Sequence, residues 1–184
     1  MEIKAADVMK LRKMTGAGMM DCKKALIEAE GDFARAQDII REKGKLIVAK
    51  RADRTATEGV VVTKIVGQKA YILCLACETD FVARGDKFQG FVKDMVAQVA
   101  KGEYADSEAL LAAPFVADAS VTVKEALDGV IATTGENMGL GKFAKMELAA
   151  GKSGLIGGYL HSNGKLAVLV EMQTGSDAAA ASEA

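Results

Sequence analysis

Tryptophan is absent from this chain of 184 residues, and histidine and proline each occur once. Six Phe and three Tyr leave little aromatic surface for stacking on bases or sugars. The lone histidine, His161, makes no catalytic triad unless the other members converge on it from elsewhere. No GxSxG, GxxxxGK[ST], HExxH or spaced Cys/His set occurs. Lys and Arg total 24 against 25 Asp and Glu, a net charge of −1, whereas neutralising several phosphates takes a local cationic excess. The richest basic stretch, Lys43–Arg54, reads as a solvated linker rather than a nucleic-acid patch. The longest apolar run, AYILCLAC, is far short of the roughly 20 residues a membrane span needs, and MEIKAADVMKLRK breaks any signal-like run with charges. The three cysteines are an odd count. Cys74 and Cys77 form a CxxC, but on a strand residues three apart face opposite ways, so buried free thiols are expected rather than a metal site or disulfide. The expectation from these absences is a soluble, cytoplasmic protein that is not an enzyme, with no cofactor, metal, membrane or direct nucleic-acid contact.

What is present is an α+β pattern. Residues 4–43 read as three short helices. Val8, Leu11 and Met14 recur at helical spacing, and Thr15-Gly16-Ala17-Gly18 breaks the first helix. Cys22, Ala25, Leu26 and Ala29 form the stripe of the second, which Gly31 ends. Asp32 is placed to accept from the free N–H groups of a third helix carrying Ala36, Ile39 and Ile40, expected to close at Gly44. A bundle this small is marginal alone and suggests a docking module on a larger body. A charged connector, 45–58, follows. A first core subdomain, 59–136, begins with a hairpin (Val60–Val66, a turn at Gly67-Gln68-Lys69, Ala70–Cys77). It continues into an amphipathic helix with Phe88, Phe91, Val92, Met95, Val96 and Val99 on one stripe. A short helix Ser107–Ala113 stops before Pro114, and Thr122 with Glu125 forms a capping-box pattern. Thr134–Gly141 reads as a glycine-rich loop and Lys142–Leu148 as a strand. A second subdomain, 137–175, holds another hairpin, Leu155–Ser162 and Lys165–Met172 about Asn163-Gly164, the strongest short-range hairpin signal. GQKAYILCLACETD and NGKLAVLVEMQTGSD look like two copies of one unit. The second copy lacks a packing helix, since the Ala-rich tail, 176–184, has no spaced large apolar residues.

Two blocks read as contact surfaces. Met19 either extends the core stripe or faces outward. Met20 lies off the stripe with Lys23 three residues on, and an exposed methionine suits an adaptable apolar contact; packing against the following domain is the equal alternative. Asp80 and Phe81 fall at a strand-to-helix turn, with Phe81 either a plug over the core or a protruding wedge. Read from its residue type alone, the plug is favoured.

In this order, TGAGMMDCKKAL, CETDFVA, the GEN triplet and the Gly-Tyr-Leu-His hairpin stretch closely resemble the elongation factor Ts family, over roughly residues 3–173. Members are guanine nucleotide exchange factors for elongation factor Tu in bacteria and organelles. The resemblance implies a ubiquitin-associated-like N-terminal three-helix bundle and an α+β core of two related antiparallel subdomains packed on helices, here with the second incomplete. It further implies that Met19, Met20 and Lys23 dock on the nucleotide-binding domain of elongation factor Tu. Thr79, Asp80, Phe81 and Val82 match the wedge segment, which favours a protruding Phe81. Thr134 and Gly135 match a further contact loop, and His161 a hairpin histidine that reaches the partner. The partner is met in its GDP-bound and nucleotide-free forms; homodimerisation is left open. Where the family follows its GEN triplet with a hydrophobic residue and two arginines, this chain reads MGLGK, and Thr134 stands where an aliphatic residue is common. The competing expectation is a docking fragment that binds a partner without driving exchange.

Overall fold

The computed structural model describes residues 3–176, so most of the Ala-rich tail lies outside the described residues. The elements run α1 (Ala5–Thr15), α2 (Met19–Glu28), α3 (Phe33–Arg51), β1 (Glu58–Val66), β2 (Lys69–Cys77), α4 (Asp80–Arg84), α5 (Asp86–Lys101), α6 (Ser107–Ala112), α7 (Val123–Thr134), β3 (Met138–Glu147), β4 (Ser153–Leu160) and β5 (Ala167–Thr174). The mixed helix-and-sheet class is as expected, with an N-terminal helical region followed by two antiparallel sheets. Compactness divides the chain into one unit of Met1–Thr55 with Glu125–Asn137 and a second of Ala56–Lys124 with Met138–Ala184.

In the first unit, Val8, Leu11, Cys22, Ala25, Leu26, Ala29 and Ala36 form a buried cluster flanked by Ile3, Phe33, Ile39 and Ile40. The expected stripe of α1 stops early: Met14 is 51% exposed. The helix closes beneath it, because Gly16 takes a left-handed φ of 69° and donates to the Arg12 carbonyl, a conformation only glycine adopts cheaply. Asp32 caps α3 as anticipated, its Oδ1 accepting from Ala34 N at 2.8 Å and Arg35 N at 3.1 Å. The expected stop at Gly44 is wrong, and helix replaces the first half of what reads as a connector. α3 runs on to Arg51, and a Cβ on Gly44 would stand 3.3 Å from Ala132 Cβ of α7. Gly44 therefore permits a close helix–helix approach rather than ending a helix. Beyond α3, Asn137 Nδ2 donates to the Arg54 carbonyl at 2.6 Å, tying residues far apart in sequence.

In the second unit, β1, β2 and β3 form one antiparallel sheet in that order, and β4–β5 form another. Val66 pairs with Lys69, so the first turn is the two residues Gly67-Gln68, with Gly67 at φ 58°. The segment read as a glycine-rich loop is shorter than expected: Met138 already begins β3. That strand joins the first hairpin, pairing with β2 from Cys77↔Met138 to Lys69↔Glu147. The β2–β3 register shifts between Leu73 and Leu75. There Gly141 passes so close that a Cβ would meet Cys74 Cβ at 3.0 Å. None of the three cysteines is in a disulfide, with Cys22 and Cys77 buried and Cys74 half-buried.

Alternate residues Tyr71, Leu73, Leu75 and Cys77 of β2 are buried, and α5 packs on β1 and β2 with Phe88, Phe91, Val92, Met95 and Val99. Val96, expected on that stripe, is only half-buried; the buried position belongs to Gln98, 4% exposed. Its amide donates to Tyr104 Oη at 2.7 Å and the Pro114 carbonyl at 3.1 Å, and accepts from Val116 N at 2.6 Å. Phe115 packs beside it on Phe91, ring centroids 5.8 Å apart. On the sheet edge Lys145 Nζ meets Glu103 at 2.5 Å and Glu147 at 2.7 Å. Both carboxylates hold the Lys145 ammonium well above its usual range, Glu103 most.

The β4–β5 hairpin packs on β1 through the face bearing Gly158, where a Cβ would come 3.3 Å from Ile65 Cδ1. The other face carries Tyr159, Val168, Val170 and Met172, all exposed. Its tip is not a two-residue Asn-Gly turn: the ladder ends at Leu160↔Ala167, His161 N still donates to the Leu166 carbonyl at 2.9 Å, and Gly164, at φ 67°, donates to the His161 carbonyl at 2.9 Å.

Candidate functional site

The segment from Thr79 to Val82 is built at the exit of β2. Thr79 leaves the strand in an extended conformation and its Oγ1 accepts from Val82 N at 3.3 Å, an N-cap that starts the five-residue helix α4. The Thr79 carbonyl accepts from Ala83 N at 3.1 Å and from Cys77 Sγ at 3.2 Å. At the other end Gly85 N donates to the Val82 carbonyl at 2.9 Å, and Gln89 Nε2 of α5 donates to the Ala83 carbonyl at 2.6 Å. Ala83 turns inward at 6% exposure, and Phe81 turns outward at 86%. Phe81 is no plug over the core. Asp80 is exposed too, its Oδ2 3.2 Å from Arg84 Nη2 one turn on. An exposed pair of this kind contributes little stability and leaves the carboxylate free to change partners. Val82 is half-buried beneath them.

On the first unit, Met19 and Met20 open α2, 50% and 63% exposed, with Lys23 exposed on the following turn. Cys22, Ala25 and Leu26 of the same helix are buried, so the core takes one face and the methionines stand clear of it. Met14 and Met9, 51% and 65% exposed, are further outward methionines that helical periodicity assigned to the core or passed over. Thr134 and Gly135 end α7: Thr134 Oγ1 donates to the Val130 carbonyl at 2.9 Å, and Gly135, at φ 74°, donates its N–H to the Ile131 carbonyl at 2.8 Å. In the second unit His161 is exposed at the hairpin tip, its Nδ1 2.6 Å from Tyr159 Oη, so the tyrosine fixes the ring. Tyr159 escaped the sequence reading; its only signal was the Gly-Tyr-Leu-His stretch itself.

The expected site residues thus fall into two sets. Met19, Met20, Lys23, Thr134 and Gly135 belong to the first unit, and Thr79 to Val82 with His161 to the second. Among the described residues no helix is long and apolar enough to cross a membrane, and no group of three or more His, Cys, Asp or Glu is gathered as for a metal. What the site offers chemically is apolar and charged contact, with side chains held out from capped helix ends.

The fold is a mixed helix-and-sheet one, with the candidate residues at capped helix ends and a hairpin tip. Residues 78–184 match the family model described as Elongation factor TS. The chain is 46% identical to Elongation factor Ts of Nostoc sp. over 99% of its own length and 58% of that relative's. It is 45% identical to the Trichlorobacter lovleyi protein of that name over 93% of this chain and 55% of the relative. For the Clostridium novyi protein the values are 44%, 92% and 55%. The chain belongs to the elongation factor Ts family, and it spans between half and three-fifths of the length of these curated relatives.

Proposed function

We propose that this chain binds elongation factor Tu and promotes GDP release, so that GTP can reload. The observation that carries the reading is Phe81, an aromatic side chain 86% exposed on a turn secured at both ends. Leaving that ring in water forgoes about 1.5–3 kcal/mol that burial would return, equivalent to about 10- to 100-fold in a binding constant. A GTPase holds its nucleotide mainly through the phosphates and their Mg²⁺. A factor that binds the nucleotide-free form more tightly must weaken nucleotide by the same ratio. Phe81 acts as a wedge between partner helices and displaces the groups that orient Mg²⁺, while Asp80 exchanges its Arg84 pairing for hydrogen bonds on the partner. Thr79 and Val82 form the base of the wedge. Met19, Met20 and Lys23 supply affinity through an adaptable apolar contact with an adjacent cation. Thr134, Gly135 and His161 add contacts at the margins.

Release of a fluorescent GDP analogue from purified elongation factor Tu, with and without the 184-residue chain, tests this reading. Strong acceleration is the expected result. Complex formation without acceleration would contradict it and identify a docking fragment whose relatives need their remaining length for exchange.

A further inference from the structure

We infer that Gln89 is a positioning residue for the wedge: its side-chain amide ties the one-turn helix α4 to the core helix α5 and so fixes the direction in which Phe81 points. The inference rests on the exchange reading above and adds to it the group that makes the wedge stiff. A five-residue helix is far shorter than the length at which helices hold themselves in water, and the carbonyls of its last turn have no partners within it. In α4 two of these are taken up from outside the helix. Gly85 N reaches the Val82 carbonyl at 2.9 Å, a local turn that moves with the helix. The Ala83 carbonyl is held at 2.6 Å by Gln89 Nε2, six residues on. Gln89 sits in the first turn of α5, its own N–H bonded to the Gly85 carbonyl at 3.0 Å, between Phe88 at 1% exposure and Phe91 at 5%. Its backbone is therefore anchored by core side chains on both sides. Packing adds only the Ala83 methyl, 6% exposed, and the half-buried Val82, small side chains for fixing the direction of a one-turn helix. At 86% exposure, Phe81 itself adds no anchorage.

A wedge does work on its partner only if it does not yield. The free energy of inserting Phe81 is otherwise spent on re-ordering α4. A net hydrogen bond is worth about 2- to 10-fold in an equilibrium between held and released turns, and activity falls with the population of the competent state. Gln89→Leu keeps the size and removes the donor. Gln89→Glu keeps the shape and, at neutral pH, also removes the donor. Both are expected to slow GDP release at saturating factor by about 2- to 3-fold, with at most a small fall in the unfolding midpoint of the chain. Amide hydrogen exchange at Ala83 and Gly85 should quicken by a similar factor in the chain alone, a readout independent of any partner. In a Phe81→Ala background Gln89→Leu should have no further effect on release, because the amide acts through the ring. Unchanged amide exchange at Ala83, or full GDP release by both Gln89 variants while Phe81→Ala is impaired, would overturn the positioning role. If Phe81→Ala itself released GDP at the full rate, the wedge reading would fail instead, and Gln89 would keep only its effect on amide exchange.

Discussion

Gln98→Leu is the substitution whose cost follows most directly from the structure. Leucine matches the glutamine in size, so no cavity opens and the change is one of polar partners. The half-buried Val116 N–H loses an acceptor at 2.6 Å, a loss of about 1–3 kcal/mol when the donor stays shielded. The Pro114 carbonyl at 3.1 Å and Tyr104 Oη at 2.7 Å lie nearer to water and can re-pair, adding roughly 1 kcal/mol between them. Burying leucine where an amide stood returns about 1 kcal/mol. The net expectation is about 2 kcal/mol, concentrated in the 103–122 segment that the amide pins to α5. Urea unfolding followed by far-UV circular dichroism measures the total, and amide hydrogen exchange localises it: Val116 should lose protection while Leu73 in β2 keeps it. Because Phe115 lies on Phe91 beside this site, a Gln98→Leu, Phe115→Ala double mutant should be non-additive. A loss below about 0.5 kcal/mol with Val116 still protected would refute the assignment of Gln98 as the hub of that segment.

Two further outcomes are expected from the scaffold. Asp32→Ala removes the acceptor for Ala34 N and Arg35 N and should cost about 1 kcal/mol in thermal unfolding, with Asp32→Asn retaining most of it. The Lys145 ammonium, then that of Lys69, holds Glu147 below its ordinary value of 4.5. The stabilisation is therefore present above the unfolded-state value and is lost as pH falls through the lower folded one. Melting temperatures between pH 5 and 3 at low salt should fall less steeply for Glu147→Gln than for the parent. The difference should vanish at 1 M salt, because this pair is exposed and screened.

The fold was legible where local chemistry decides it. Asp32 before Ala36, Ile39 and Ile40 specifies a capped helix, and the apolar arms around Gly67-Gln68 specify a hairpin. What failed depends on contacts distant in sequence. Gly44 looks like a helix stop and is a crossing point with Ala132. Met138–Glu147 looks like the start of a second subdomain and is the third strand of the first sheet, because pairing with β2 is chosen by that strand's free edge. Met14 keeps helical spacing with Leu11, yet α1 closes at Gly16 and leaves it in water. Gln98 escaped because hydrophobic periodicity registers apolar side chains and passes over a buried amide. The candidate site was legible through its resemblance more than its residue types: chemistry alone assigns a phenylalanine to the core, and the exposure of Phe81 follows from the direction in which Thr79 starts α4.

The central claim is that Phe81 drives nucleotide release while Met20 supplies affinity, and the ratio of two measured losses tests it. GDP release from elongation factor Tu and complex formation are measured for the parent chain, Phe81→Ala and Met20→Asp. Phe81→Ala should lower release at saturation far more than it lowers complex formation, with folding stability within about 0.5 kcal/mol of the parent because the ring is exposed. Met20→Asp should lower release and complex formation together, and excess factor should restore its release rate. Equal losses in release and binding for Phe81→Ala would contradict the wedge and leave Phe81 as one more docking contact.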